Sequence, residues 1–399
     1  MRSRPSYVRK IRPFIDKPVV KVRTGMCRVG KSGLLELIQQ ELLAAGTNES
    51  RIVHFDLESM EYADLQNDTA LFYDTLRKRI GKEKSYIFLD EVQEVTGWEK
   101  VVNSLLADQK ADVYLTGSNA RLLSSELATF LSGRYVEIPV YPLSLREHLD
   151  FRGDRCGTPQ EEFSRHLKYG GLPGLHAFDS TDEIVYQYIG AIYDSVLLKD
   201  VVARNNIRDV SLLESVGRFV LDNIGNVVSA HRIAQFLKNQ QRTVSSETVH
   251  NYLRALEQGF LVHRVPRYDL KGKRYLEIYE KYFLGDIGLR HALLGFKEGD
   301  ISGLLENVVY LELRRRGYRV SIGKWKEAEI DFVAEKENER QYIQVAYLLA
   351  DEETVRREFA PLREIADNYP KRVLSLDPVW GEDLDGIKRQ NLIDFLLEA

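Results

Sequence analysis

Residues 25–32 read Gly25-Met26-Cys27-Arg28-Val29-Gly30-Lys31-Ser32: a glycine, four intervening residues, then glycine, lysine and serine. Glycine at both ends permits a tight curl and close approach of another backbone. Such a curl turns successive main-chain N–H groups toward one point and makes a cradle for phosphate oxygens. In this pattern Lys31 reaches the outer phosphates, and the Ser32 hydroxyl binds Mg²⁺. An apolar run, Val19-Val20-Lys21-Val22, leads into the curl. A helical pattern leads out of it, with Leu34, Leu35, Ile38 and Leu42 on one face,. A helix starting near Ser32 adds the partial positive charge of its N-terminus to the cradle.

Further apolar runs, Ile52–Phe55, Tyr86–Leu89, Val113–Leu115 and Tyr135–Ile138, alternate with helical patterns. Near-continuous apolarity predicts a parallel sheet covered on both faces, with ligands at the carboxyl ends of its strands. The run Tyr86–Leu89 ends in Asp90-Glu91. Alone, such a pair is also found in solvated turns. Beside the cradle, Asp90 is expected to hold the Mg²⁺ shell and Glu91 to orient or deprotonate the attacking water. One strand, Ile52–Phe55, lies between the two motifs, as in the P-loop division that carries this glutamate. The next strand runs into Thr116-Gly117-Ser118-Asn119, where Asn119 or Ser118 is the candidate sensor of the γ-phosphate or the water. Arg134, just before the fifth run, is a candidate for the positive charge that a phosphoryl-transfer transition state rewards.

The chain has 399 residues, enough for two to four domains,. A hydrophobic share of 44% against 29% charged residues excludes a disordered polymer,. Net charge is −4, which excludes a uniformly basic nucleic-acid coat,. Cys27 and Cys156 are the only cysteines and cannot build a disulfide framework,. No run reaches the ~18 apolar residues of a membrane span, and the basic N-terminus has no signal-peptide core. A cytoplasmic protein without membrane contact is expected.

After the sheet the pattern turns helical, interrupted at Gly170-Gly171-Leu172-Pro173-Gly174. Helices over Ala230–Asn239 and Glu247–Gln258 precede strands at Leu261–Pro266 and Arg274–Ile278, the outline of a winged helix. Residues 227–280 hold nine Lys/Arg against five Asp/Glu, a local excess of positive charge. Thr248, His250, Asn251 and Arg254 would face DNA from the second helix, with Arg267, Lys271, Lys273 and Arg274 on the wing. A packing module is the other reading of this segment. The tail reads helix (Leu304–Arg316), three strands (Tyr318–Ile322, Glu329–Val333, Tyr342–Tyr347), helix (Glu353–Asp367), strand (Arg372–Leu376).

That order resembles the PD-(D/E)xK nuclease core, with Glu306, Asp331 and Gln344 at its acidic positions. Glutamine is a weaker metal ligand than a carboxylate, and Ala346 stands where a lysine is needed,. Lys324, Lys326 or Lys336 could replace it only from elsewhere in space, so a degenerate site is expected. Gly25–Ser32, Leu89-Asp90-Glu91, Leu115-Thr116-Gly117-Ser118, Ser132-Gly133-Arg134-Tyr135, Tyr169-Gly170-Gly171-Leu172-Pro173 and Gly285-Asp286-Ile287-Gly288-Leu289-Arg290 together resemble the prokaryotic AAA-type P-loop ATPases with a C-terminal domain of unknown function. The resemblance implies ATP as the nucleotide. It also implies an α/β fold: a P-loop NTPase parallel sheet (ASCE/AAA-type) over residues 1–150, a helical lid over 151–208, a winged helix over 209–285 and a restriction-endonuclease-like domain over 286–399. The expected function is an Mg²⁺-dependent ATPase switch acting on an unknown protein partner, with homo-oligomers open. ATP-regulated DNA binding and nuclease activity are the rivals.

Overall fold

In the computed structural model, which describes residues 3–119, 131, 133–178, 181–296, 301–378 and 383–398, the first apolar runs join in one sheet. They are β1 (Val20–Thr24), β2 (Ile52–Asp56), β3 (Ser85–Asp90), β4 (Ala111–Gly117) and β5 (Tyr135–Pro139). All pair in parallel, in the order β2-β3-β4-β1-β5. Their carboxyl ends therefore open on one edge. On one face, Val20 and Val22 join Ile87, Leu89, Val113 and Leu115 in a core with Val101, Val102 and Leu105 of helix Trp98–Ala107. Helix Lys31–Ala44 buries Leu34, Leu35, Ile38 and Leu42 and packs on β3 and β4. Lys21 alternates with the valines and faces away from that core. It ion-pairs with buried Asp112, which also accepts the Tyr114 hydroxyl at 2.7 Å, so neither charge is left uncompensated,.

Residues 1–140 with 258–260 form one compact unit, and 141–257 with 261–399 form another. In the second, helices Leu145–Arg152 and Pro159–Tyr169 each begin in a capping box, Ser144 with Glu147 and Thr158 with Glu161,. Helix Asp182–Ser195 continues as a π-helical stretch, Val196–Ala203. Helices Ala230–Asn239 and Ser246–Gln258 lead to a hairpin of β7 (Val262–Asp269) and β8 (Arg274–Leu284), with the short β6 (Val227–Val228) paired to β8. This hairpin, expected as a wing, is not free, because β7 pairs in parallel with β9 (Arg319–Trp325). With β10 (Ala328–Lys336), β11 (Glu339–Val345), β12 (Lys371–Ser375) and β13 (Lys388–Asn391) it forms a single sheet, β13-β12-β11-β10-β9-β7-β8-β6. The divisions expected at 208 and 285 fall inside this unit, and the sheet crosses the second. Helix Glu352–Glu364 seals the sheet with Phe359 and Leu362 over Ile330, Val333, Tyr342 and Val373.

Two glycine-rich motifs of this unit meet in a clasp. The buried Asp286 carboxylate accepts the Gly171 N–H at 2.7 Å and the Gly288 N–H at 2.8 Å. A Cβ at Gly288 would lie 2.2 Å from the Tyr169 carbonyl oxygen, which explains why glycine stands there.

Candidate functional site

The cradle leaves the carboxyl end of β1, and its chain curls through positive φ at Gly25 (149°), Arg28 (67°) and Gly30 (93°). A Cβ on Gly25 would meet the Val140 carbonyl oxygen at 2.2 Å. Arg28 holds its left-handed conformation without glycine's freedom, at a cost of about 1–2 kcal/mol,. Met26 and Val29 anchor the loop by burial, whereas Cys27 is half-buried and Arg28 and Ser32 are exposed. Arg4 braces the curl by donating to the Val29 carbonyl at 2.9 Å. Lys31 opens the following helix. Its buried ammonium donates to the carbonyls of Gly25 (3.1 Å) and Met26 (3.2 Å) and lies 3.2 Å from Glu91 Oε1.

Asp90 ends β3, and Glu91 turns away from it at φ 49°. Thr116, on the adjacent β4, fixes both acids: its hydroxyl donates to Asp90 Oδ1 and accepts the Glu91 N–H at 2.8 Å. Gln93 donates to Glu91 Oε2, and Ser118 also hydrogen-bonds this carboxylate. Burial pushes the Asp90 carboxyl up, opposed by hydrogen bonds from Ser32 and Thr116. Burial pushes Glu91 up as well, but the Lys31 ammonium and the surrounding hydrogen bonds outweigh it, and the net shift is downward. The shift favours the ionised form of Glu91. Ser32 and Asp90, whose side chains interact, offer the hard oxygens that suit Mg²⁺,. Asn119 is buried just beyond β4. Thr116 and Gln93 were not expected here; the available signal was a hydroxyl residue at the end of the strand beside β3.

Arg134 requires a correction. Its carbonyl accepts the Val20 N–H, and Tyr135 pairs with Val20, so Arg134 lies at the amino ends of the strands. The cradle leaves the opposite edge, roughly 15 Å away at the rise of a β-strand. The exposed guanidinium hydrogen-bonds Asn103 Oδ1 at 3.0 Å. Arg134 therefore does not serve the cradle of its own chain.

In the second unit, Glu306, Asp331 and Gln344 do converge. Asp331 Oδ2 accepts the Val345 N–H at 2.8 Å. Gln344 accepts the Asp331 N–H and donates to Glu358 Oε2, both at 3.2 Å, a double role that a carboxylate could not fill,. None of the expected lysines completes the site. Lys326 pairs with Glu364 at 2.8 Å, Lys336 lies over the Tyr318 ring, and Lys324 makes no ion pair among the described residues. The cation is Lys281 of β8, which sequence reasoning missed. Its Nζ lies 2.7 Å from Glu329 Oε1, 3.0 Å from Glu306 Oε2 and 3.9 Å from Asp331 Oδ1. Burial and the Glu306 charge push the Asp331 carboxyl well up; burial also raises Glu306, against the pull of Lys281.

On the segment expected to form a winged helix, His250, Asn251 and Arg254 are exposed, as are Lys271, Lys273 and Arg274. Arg267 is half-buried, 3.9 Å from Glu329. Among the described residues, no helix is long and apolar enough to cross a membrane.

Sheet order, cradle and carboxylate pair together define a P-loop ATPase domain of the AAA type. Comparison with known proteins agrees: a family described as an AAA domain matches residues 17–149, and one described as a domain of unknown function (DUF8612) matches residues 160–300. An uncharacterized protein of Haemophilus influenzae is 37% identical over 402 residues, spanning 100% of this chain and 99% of that protein. Another, from Methanocaldococcus jannaschii, is 30% identical over 335 residues, covering 79% of this chain and 74% of its own length. Among solved structures, a Walker-type ATPase of Pyrococcus abyssi aligns with a TM-score of 0.49 at 14% identity, over 73% of this chain and 96% of that one. The chain belongs to the prokaryotic AAA-type P-loop ATPases that carry a C-terminal domain of unknown function.

Proposed function

We propose that the protein binds ATP with Mg²⁺ in the Gly25–Ser32 cradle and hydrolyses it slowly, as a switch read by a protein partner through the C-terminal unit. The observation that carries this reading is the position of Lys31, bonded at once to two cradle carbonyls and to Glu91. Those carbonyls are weak partners for an ammonium, and phosphate oxygens would take their place. Loss of the Lys31 contact would free Glu91 to accept a proton from water. Ser32 and Asp90 would hold the metal, whose chemistry is to neutralise charge on the transferred phosphoryl group. Thr116 keeps both acids aimed at that point, and Asn119 or Ser118, at the end of the adjacent strand, would sense the γ-phosphate or the water. Arg134 would act only on the nucleotide of a second copy. The test pairs Lys31→Ala, expected to lose ATP binding, with Glu91→Gln, expected to bind ATP but not release phosphate. Unchanged phosphate release in Glu91→Gln would remove Glu91 from its role.

A second reading, ATP-regulated DNA binding, draws support from the exposed His250, Asn251 and Arg254. It requires duplex affinity to fall steeply as salt rises. Absence of a mobility shift at low salt, with and without ATP, would reject it.

A further inference from the structure

The carboxylate cluster of the second unit is not used by the ATPase reading. It differs from an ordinary acidic patch in having a buried ammonium at its centre, contributed by a strand of the wing hairpin. Lys281 is 3% exposed and touches three carboxylates that come from the helix Ile301–Arg315 and from β10. Its stem cannot swing away easily, because Tyr282, Phe283 and Leu284 beside it are buried and Glu280 is tied to Arg264. The other charged groups facing the cluster are Arg267, 3.9 Å from Glu329, and Glu358, which pairs with Arg357.

Oxygens that could serve a metal are already committed. One Asp331 oxygen accepts the Val345 N–H, and the Gln344 oxygen accepts the Asp331 N–H. Divalent cations of the Mg²⁺ class need several carboxylate or carbonyl oxygens within about 2.0–2.6 Å. An ammonium seated among Glu329 Oε1, Glu306 Oε2 and Asp331 Oδ1 competes for the oxygens that remain. We propose that Lys281 is the resident cation of this cage: it occupies the position a divalent metal would take between Glu306, Glu329 and Asp331. The natural site therefore excludes Mg²⁺ and Mn²⁺, and replacing Lys281 by an uncharged side chain of similar length opens a divalent-cation site.

The test is titration of Mn²⁺, without nucleotide, into the full chain, followed by water-proton relaxation. Four proteins are compared with the wild type: Lys281→Met, Lys281→Arg, Asp331→Asn, and Lys281→Met combined with Asp331→Asn. Lys281→Met is expected to bind one additional Mn²⁺, at least about tenfold more tightly than any tail site of the wild type. That ion should be absent in Lys281→Arg and in the double variant. Mn²⁺ should also raise the melting temperature of Lys281→Met while leaving that of Lys281→Arg unmoved. A folded Lys281→Met that gains no ion would overturn the proposal. So would a wild-type Mn²⁺ site that Asp331→Asn removes. Should Lys281→Met fail to fold, the wild type and Asp331→Asn decide alone: equal Mn²⁺ binding supports the proposal, and a loss in Asp331→Asn sinks it. None of these outcomes depends on ATP binding, so the ATPase reading can fail separately.

Discussion

Lys31 and Lys281 are buried to nearly the same degree, 4% and 3% exposed, and each touches carboxylate. They differ in what else they touch. Lys31 completes its shell with neutral carbonyls of a strained, partly exposed loop, and among the described residues one carboxylate, Glu91, lies within ion-pair distance. Lys281 has three carboxylates around it, supplied by a helix and a strand in the packed body of the unit. A lysine whose partners are replaceable can exchange them for a ligand. One saturated by its own chain instead closes the site it occupies. Lysine plus carboxylate is therefore not a functional signature until the remaining contacts are counted.

Breaking the first half of this comparison should give the largest effect. Glu91→Gln is expected to lower ATP turnover by about 10²–10⁴-fold, the usual worth of a positioned general base, with nucleotide binding retained. Phosphate release and fluorescent-nucleotide binding measure the two parts. In the second half, Lys281→Ala leaves buried carboxylates without their cation and should destabilise the C-terminal unit by about 3–5 kcal/mol. Denaturant unfolding reads this, and nucleotide affinity should not change. Asp286→Ala removes the acceptor of two buried N–H groups, so a loss of about 1–3 kcal/mol is expected on the same measurement,.

A smaller effect sharpens the contrast through pH. Folding raises the carboxyls of Asp331 and Glu306 above their ordinary values of 3.8 and 4.5. Across the interval above those values the folded state keeps protons that the unfolded chain has released. Their contribution is fully present below the ordinary values and is lost as pH rises through the elevated ones. Asp331→Asn should flatten this slope; an unchanged slope would assign it to other groups. Glu91 shifts the opposite way, so its contribution is lost as pH falls below the ordinary carboxylate range,. The smallest change is expected from Arg134→Ala, which should leave ATP affinity intact. If Arg134 serves a neighbouring copy, the variant should lose any faster-than-proportional rise of hydrolysis with protein concentration.

The cradle and Asp90-Glu91 were legible because each depends on local chemistry at a strand end, where type and spacing carry the meaning. The parallel sheet followed from the same runs, whereas the order of its strands came only with their pairing. Arg134 stands just before β5 and so at that strand's amino end; the pairing of Tyr135 with Val20 adds that β5 runs parallel to β1, which puts that end opposite the cradle. Thr116 stands within a readable motif, but its bridging of both acids needs β3 and β4 side by side. Lys281 was invisible for a related reason. It stands in a wing strand, and its role depends on that hairpin continuing into the tail's sheet through β7 and β9. Degeneracy at Gln344 and Ala346 could be read directly, but the compensating charge could not.

The Asp286 clasp bears on how the protein can be taken apart. It ties positions 115 residues apart, so each side of the knot supplies what the other needs to bury its main chain. A fragment cut anywhere between Gly171 and Asp286 would expose these amides and strand a carboxylate in an apolar setting. Dissection into autonomous pieces should therefore succeed only where the break leaves both motifs on one polypeptide.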